Sequence, residues 1–195
     1  MTFTPKSLCV FCGSKNGNDP EFVKEAQKLG KMMADQGVEL VYGGGSIGIM
    51  GVIAEEVLAH GGRVTGVIPE FLQKFEVGHQ NLNELIITES MHDRKRTMFE
   101  RSDGFIVLPG GLGTMDETFE IMTWKQLRLH DKPIIVLDTK NYWQPFHQLV
   151  EATIAGDFAH EAVRDLYCLV KTAEDVFHSF KDLPNTREEV FTSHL

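Results

Sequence analysis

The chain has 195 residues, enough for one domain with a sizeable core, and its 42% hydrophobic and 24% charged residues exclude general disorder. Its 19 Lys and Arg against 28 Asp and Glu leave a net charge of −9. That balance excludes a nucleic-acid polymer or an anionic membrane as partner, since both reward clustered cations, but leaves room for a small anion held by a few cations and helix N-termini.

The N-terminal stretch MTFTPKSLCVFCGS lacks a charged segment followed by a long apolar run, so it does not read as a signal peptide. No stretch approaches the roughly 18 apolar residues of a membrane helix. Three cysteines, Cys9, Cys12 and Cys168, are an odd number that suits a reducing, cytoplasmic setting. Cys9 and Cys12 have C-x-x-C spacing, yet they sit in the apolar run Leu8–Cys12. In a strand, residues three apart point to opposite faces, so they read as core cysteines.

In chain order, a strand is predicted at Ser7–Gly13, a helix at Pro20–Asp35, a strand at Glu39–Tyr42 and a helix at Ile49–His60. Strands at Arg63–Ile68 and Leu85–Thr88 follow, then a helix at Met91–Arg101 and a strand at Gly104–Leu108. A helix at Met115–Leu129, a strand at Pro133–Leu137 and a helix at Trp143–Ile154 come next. The pattern closes with a weaker strand at Leu166–Val170, a helix at Ala173–Phe180 and a polar, proline-containing tail over 181–195. No linker or repeat interrupts it, so residues 1–195 read as a single α/β domain. The expected architecture is a parallel sheet of six to seven strands with helices on both faces. Ligands in such sheets bind beyond the carboxyl ends of the strands.

Three strand-to-helix loops at that edge are glycine-rich: Cys12–Asn18, Tyr42–Gly48 and Pro109–Thr114. Glycine lets the backbone approach a ligand and aim several N–H groups at one anion, so three such loops point to a phosphate-bearing ligand. Gly43, Gly45 and Gly48, with Glu70 a strand further on, also spell a dinucleotide fingerprint. It sits on the second strand rather than the first, which weakens a nicotinamide-dependent oxidoreductase. A non-catalytic nucleotide-binding module is the other alternative.

Thr114-Met115-Asp116-Glu117 fits a helix capping box, with Thr114 as N-cap. The functional reading places a carboxylate beside a phosphate-binding turn, and the two are compatible. Ser90 and Asp93 form a second box ahead of the cationic run Arg94-Lys95-Arg96. Met91 and Met98, at helical spacing, read as core, and His92 as a structural histidine. A solvated helix face explains the cationic run; its place ahead of the strand leading to Gly110–Thr114 favours one arginine facing a ligand.

Pro109–Glu117 reads P-G-G-x-G-T-x-x-E, and Met91–Lys95 reads M-H-x-R-K. Together with Phe11–Ser14, Val41–Gly51, Val67–Pro69, Trp124–Leu127 and His130–Pro133, these motifs closely resemble the LOG (Lonely Guy) family of cytokinin riboside 5′-monophosphate phosphoribohydrolases. The resemblance covers most of the chain up to about residue 155. It implies a Rossmann-like homodimer, with its active site near the subunit interface, that hydrolyses the N-glycosidic bond of a nucleoside 5′-monophosphate. It calls for no cofactor or metal. By the same resemblance Arg94 and Glu117 are the catalytic pair, and Gly110, Gly111, Leu112, Gly113 and Thr114 form the phosphate turn. The substrate-binding set further comprises Gly13, Ser14, Gly44, Gly45, Glu76, Met91, Lys95, Met115, Asp116 and Thr123. Phe71, Leu72 and Phe75 are candidates to line a pocket for the side chain on the base; surface-loop packing explains them equally well.

Overall fold

The computed structural model describes residues 5–73, 79 and 81–182. Its seven apolar runs pair into one all-parallel sheet: β1 (Ser7–Phe11), β2 (Glu39–Tyr42), β3 (Val64–Pro69), β4 (Glu84–Thr88), β5 (Gly104–Val107), β6 (Ile134–Leu137) and β7 (Cys168–Val170). Between them run α1 (Pro20–Asp35), α2 (Gly48–Ala59), α3 (Glu70–Gln73), α4 (Met91–Glu100), α5 (Leu112–Gln126), α6 (Gln144–Ala155) and α7 (Ala173–Asp182). The single turn α3 is too short to leave a periodic signal, and the sequence gives no hint of it.

Alternation along the strands builds two cores. Leu8, Val10 and Cys12 face α1, α2 and α7, whereas Cys9 and Phe11 face the side covered by α5 and α6. The two cysteines therefore lie on opposite faces, both buried, as the strand period predicts. Burial pushes both thiols up, with the negative charge of Glu117 adding to the shift. Buried thiols held up in this way are less reactive than exposed ones.

Strand order is β4-β3-β2-β1-β5-β6-β7. The chain steps outward from β1 to β4, then returns to place β5 on the other side of β1. The reversal point lies between β1 and β5, where a doubly wound sheet opens a crevice at its carboxyl edge. The returning connection carries α4 back across β3, so the buried face of that helix passes over this edge. At the crevice the loops after β1 and β5 are stitched together, with the Gly13 N–H donating to the Pro109 carbonyl at 3.1 Å.

Candidate active site

Helix α4 is set by its cap. The Ser90 hydroxyl oxygen accepts from the Asp93 N–H at 3.1 Å and its O–H donates to the Asp93 carboxylate at 2.6 Å, as the capping box predicts. Met91, Arg94 and Met98 then share one helix face, and all three line a cavity of about 210 Å³ at the β1/β5 crevice. Met98 is thus both core and wall, whereas the half-buried Met91 belongs to neither core cluster and only lines the cavity.

Arg94 is buried, and its guanidinium is held by the main chain. Nε donates to the Val67 carbonyl and Nη2 to the Gly43 carbonyl, each at 3.1 Å. Nη1 lies 3.7 Å from Glu117 Oε1, with both side chains about nine-tenths buried. This is an ion pair at longer range than a charge-assisted hydrogen bond of about 2.7–2.9 Å. The arginine takes its position from the ends of β2 and β3, and its charge faces the carboxylate.

Glu117 reaches the cavity differently from the expectation. Helix α5 begins at Leu112 with Gly111 as N-cap and no side-chain cap, so Thr114 is already inside the first turn. The capping box at Thr114–Glu117 is therefore not formed. The physical reason is that Gly111-Leu112-Gly113 winds into the helix instead of extending the loop. Glu117 consequently sits one turn beyond Gly113 and Thr114 on their face of the helix, directed at the cavity those residues line. The N–H groups of Leu112, Gly113 and Thr114 form a helix start that no side chain caps, with the positive end of the dipole behind it.

Of the predicted substrate-binding residues, Gly13, Ser14, Met91, Arg94, Gly111, Leu112, Gly113, Thr114 and Asp116 line this cavity, together with Glu117 of the predicted catalytic pair. Gly110 borders the adjoining cleft instead, and Met115 packs half-buried against the core. Gly44 and Gly45 are buried and do not line the cavity, whereas the neighbouring Gly43 does. A Cβ at Gly43 would collide with the Arg94 guanidinium, which explains the glycine there. Gly48, at φ +63°, sits against the Ser14 main chain. Lys95 does not line the cavity: its ammonium pairs with Asp116 at 3.2 Å and Glu120 at 3.1 Å. Burial alone would lower this ammonium, but the hydrogen bonds it donates to the Glu120 and Asp116 carboxylates outweigh that and raise it. Arg96 is exposed and pairs with Asp93 and Glu100. Thr123 is exposed on α5, its hydroxyl donating to the Phe119 carbonyl at 2.7 Å. Phe71 and Leu72 do not line the cavity. Glu76 and Phe75 lie outside the described residues, as does the tail from residue 183.

Sequence reasoning missed the main-chain anchors of Arg94 and the floor supplied by Val10, Cys12 and Met50. Carbonyl acceptors carry no side-chain signature, and apolar floor residues look like any core. Among the described residues no three His, Cys, Asp or Glu lie together as metal ligands, and no helix is long and apolar enough to cross a membrane.

Residues 50–180 match the family model described as "Possible lysine decarboxylase". LOGL1 of Oryza sativa subsp. japonica, named "Probable cytokinin riboside 5′-monophosphate phosphoribohydrolase", is 41% identical over 183 residues, 94% of this chain and 82% of the relative. The cytokinin riboside 5′-monophosphate phosphoribohydrolase of Rhodococcoides fascians is 41% identical over 172 residues, 88% of this chain and 87% of its own. Among solved structures, the molybdenum cofactor carrier protein of Chlamydomonas reinhardtii superposes with a TM-score of 0.68. It is 21% identical, and the match covers 91% of this chain and 96% of that one, so it shows the Rossmann-like fold alone. By motif, by matched length and by identity, this chain belongs to the LOG family of cytokinin riboside 5′-monophosphate phosphoribohydrolases.

Proposed function

We infer that the protein is an N-glycosyl hydrolase that releases the free base from a purine nucleoside 5′-monophosphate, AMP or an N6-prenylated AMP, leaving ribose 5-phosphate. The observation that carries this is the buried Arg94–Glu117 pair facing a cavity that the bare start of α5 also borders. The family relatives named as phosphoribohydrolases support the same reaction.

In this reading the 5′-phosphate sits on the N–H groups of residues 111–114, where the helix dipole favours an anion. As the C1′–N bond breaks, positive charge builds on the ribose and Glu117 stabilises it, as carboxylates do in glycoside hydrolysis. Water adds its oxygen to C1′ and the departing base takes up a proton. Arg94 stabilises the departing base or the sugar hydroxyls while facing Glu117 at 3.7 Å. A cavity of about 210 Å³ is below the usual ligand-pocket range of about 300–1,000 Å³, so it suits the phosphoribosyl part, with the base projecting outward.

Leu112 borders that opening and is 84% exposed. A second copy of the chain covering it would complete the base pocket, and we propose a homodimer of single-domain protomers on that ground. Sedimentation equilibrium is expected to return twice the protomer mass; a monomer at working concentration would overturn the dimer. Free thiols at Cys9, Cys12 and Cys168 support a reducing, cytoplasmic setting.

The other readings fit less well. A lysine decarboxylase needs an unprotonated amine for a Schiff base, whereas Lys95, near the pair, is held protonated by two acids. A dinucleotide would need the glycines of the Gly43–Gly48 loop to admit pyrophosphate, but Arg94 and Ser14 occupy the space beside Gly43 and Gly48. Chromatography of AMP incubated with the protein tests the assignment. Adenine and ribose 5-phosphate are expected, whereas intact AMP and N6-prenyl-AMP bound to folded protein would establish a binding module instead.

A further inference from the structure

We propose that Tyr142 is a positioning residue for the phosphate turn, setting its affinity for the 5′-phosphate without touching the substrate. The proposal rests on the reading of residues 111–114 as the phosphate cradle. The Tyr142 hydroxyl donates to the Gly110 carbonyl at 2.6 Å. The carbonyls on either side are also engaged, Pro109 by the Gly13 N–H at 3.1 Å and Gly111 by the Met115 N–H at 3.1 Å. Of these three donors only that of Tyr142 belongs to a side chain.

The peptide joining Gly110 to Gly111 is planar, so its C=O and N–H point in opposite directions. Fixing the Gly110 oxygen on the phenol therefore aims the Gly111 N–H away from the Tyr142 ring. The ring lines a cleft at this turn that Gly111 also borders, and Gly111 further borders the catalytic cavity, which the ring does not reach. With two glycines in succession, nothing in the local sequence restrains that peptide plane, so the restraint must come from outside.

Tyr142 is itself held in place. Its ring packs edge-on to Phe22 and to Trp143, with centroids 5.5 and 5.0 Å apart. It follows a tight turn in which Lys140 and Asn141 take φ values of +56° and +60°. The fully buried Asp138 carboxylate secures that turn by accepting from the Trp143 N–H at 2.7 Å and from the Lys171 ammonium at 2.6 Å. Such an investment in strained backbone and a buried charge, behind one exposed hydroxyl, points to that hydroxyl's bond as the product.

The test is Tyr142→Phe, which keeps both ring contacts and removes the donor. KM for AMP is expected to rise about three- to tenfold with kcat within twofold, the range of one neutral hydrogen bond. The inhibition constant of ribose 5-phosphate should rise by the same factor while that of adenosine stays put. An unchanged KM, or equal weakening of ribose 5-phosphate and adenosine, would overturn the role of Tyr142. If wild-type protein is inhibited equally by ribose and ribose 5-phosphate, the cradle reading itself fails and the proposal falls with it.

Discussion

Replacing Glu117 with Gln is expected to lower kcat for base release by about 10²–10⁴-fold while leaving AMP binding within a few-fold of wild type. The substitution preserves volume and removes only the charge. In the ground state the ligand brings a dianionic phosphate, so a missing carboxylate one turn away does not weaken binding. In the transition state the ribose is cationic, and the same loss is felt in full. Base release by chromatography and AMP affinity by calorimetry separate the two. Full turnover in Glu117→Gln would remove the carboxylate from the chemistry, and loss of binding alongside turnover would make it a binding residue.

Arg94→Met is expected to abolish turnover and to cost about 3–5 kcal/mol of stability, because it strips one partner from a buried ion pair. The long apolar side chain fills much of the same space, but the carbonyls of Gly43 and Val67 lose their donor. Glu117 would face the cavity without its counter-charge. Denaturant unfolding reads the loss of stability and base release by chromatography the loss of turnover. A variant as stable as wild type would show that the pair carries little of the fold.

The sheet and its helices were legible because short continuous apolar runs alternate with amphipathic segments, as at Leu8–Cys12 and Pro20–Asp35. The split of Cys9 and Cys12 between two cores follows from the side-chain period of a strand alone. Details of the site were less legible where backbone, not side chains, does the work. The start of α5 was misplaced by three residues because Thr114 and Glu117 satisfy a local pattern that a helix beginning at Leu112 overrides. Gly44 and Gly45 looked like cradle residues, yet the glycine of that loop which lines the cavity is Gly43, required by an arginine 51 positions away. The cations of Arg94–Arg96 are chemically similar in sequence and divide in space. One faces the cavity, one ties α4 to α5, and one lies on the surface.

The uncapped start of α5 has a thermodynamic consequence. Gly111 has an extended backbone and its Cβ position meets nothing, so a Ser or Asp there would fit and would cap the helix. With glycine at the N-cap, forgoing that side-chain cap costs the empty protein roughly a few tenths of a kcal/mol. If the 5′-phosphate sits there as proposed, it would make the missing hydrogen bonds, so part of its binding energy would appear as resistance to unfolding and grow with ligand concentration. On that reading the empty molecule is the more fragile one, and substrate supply itself stabilises it.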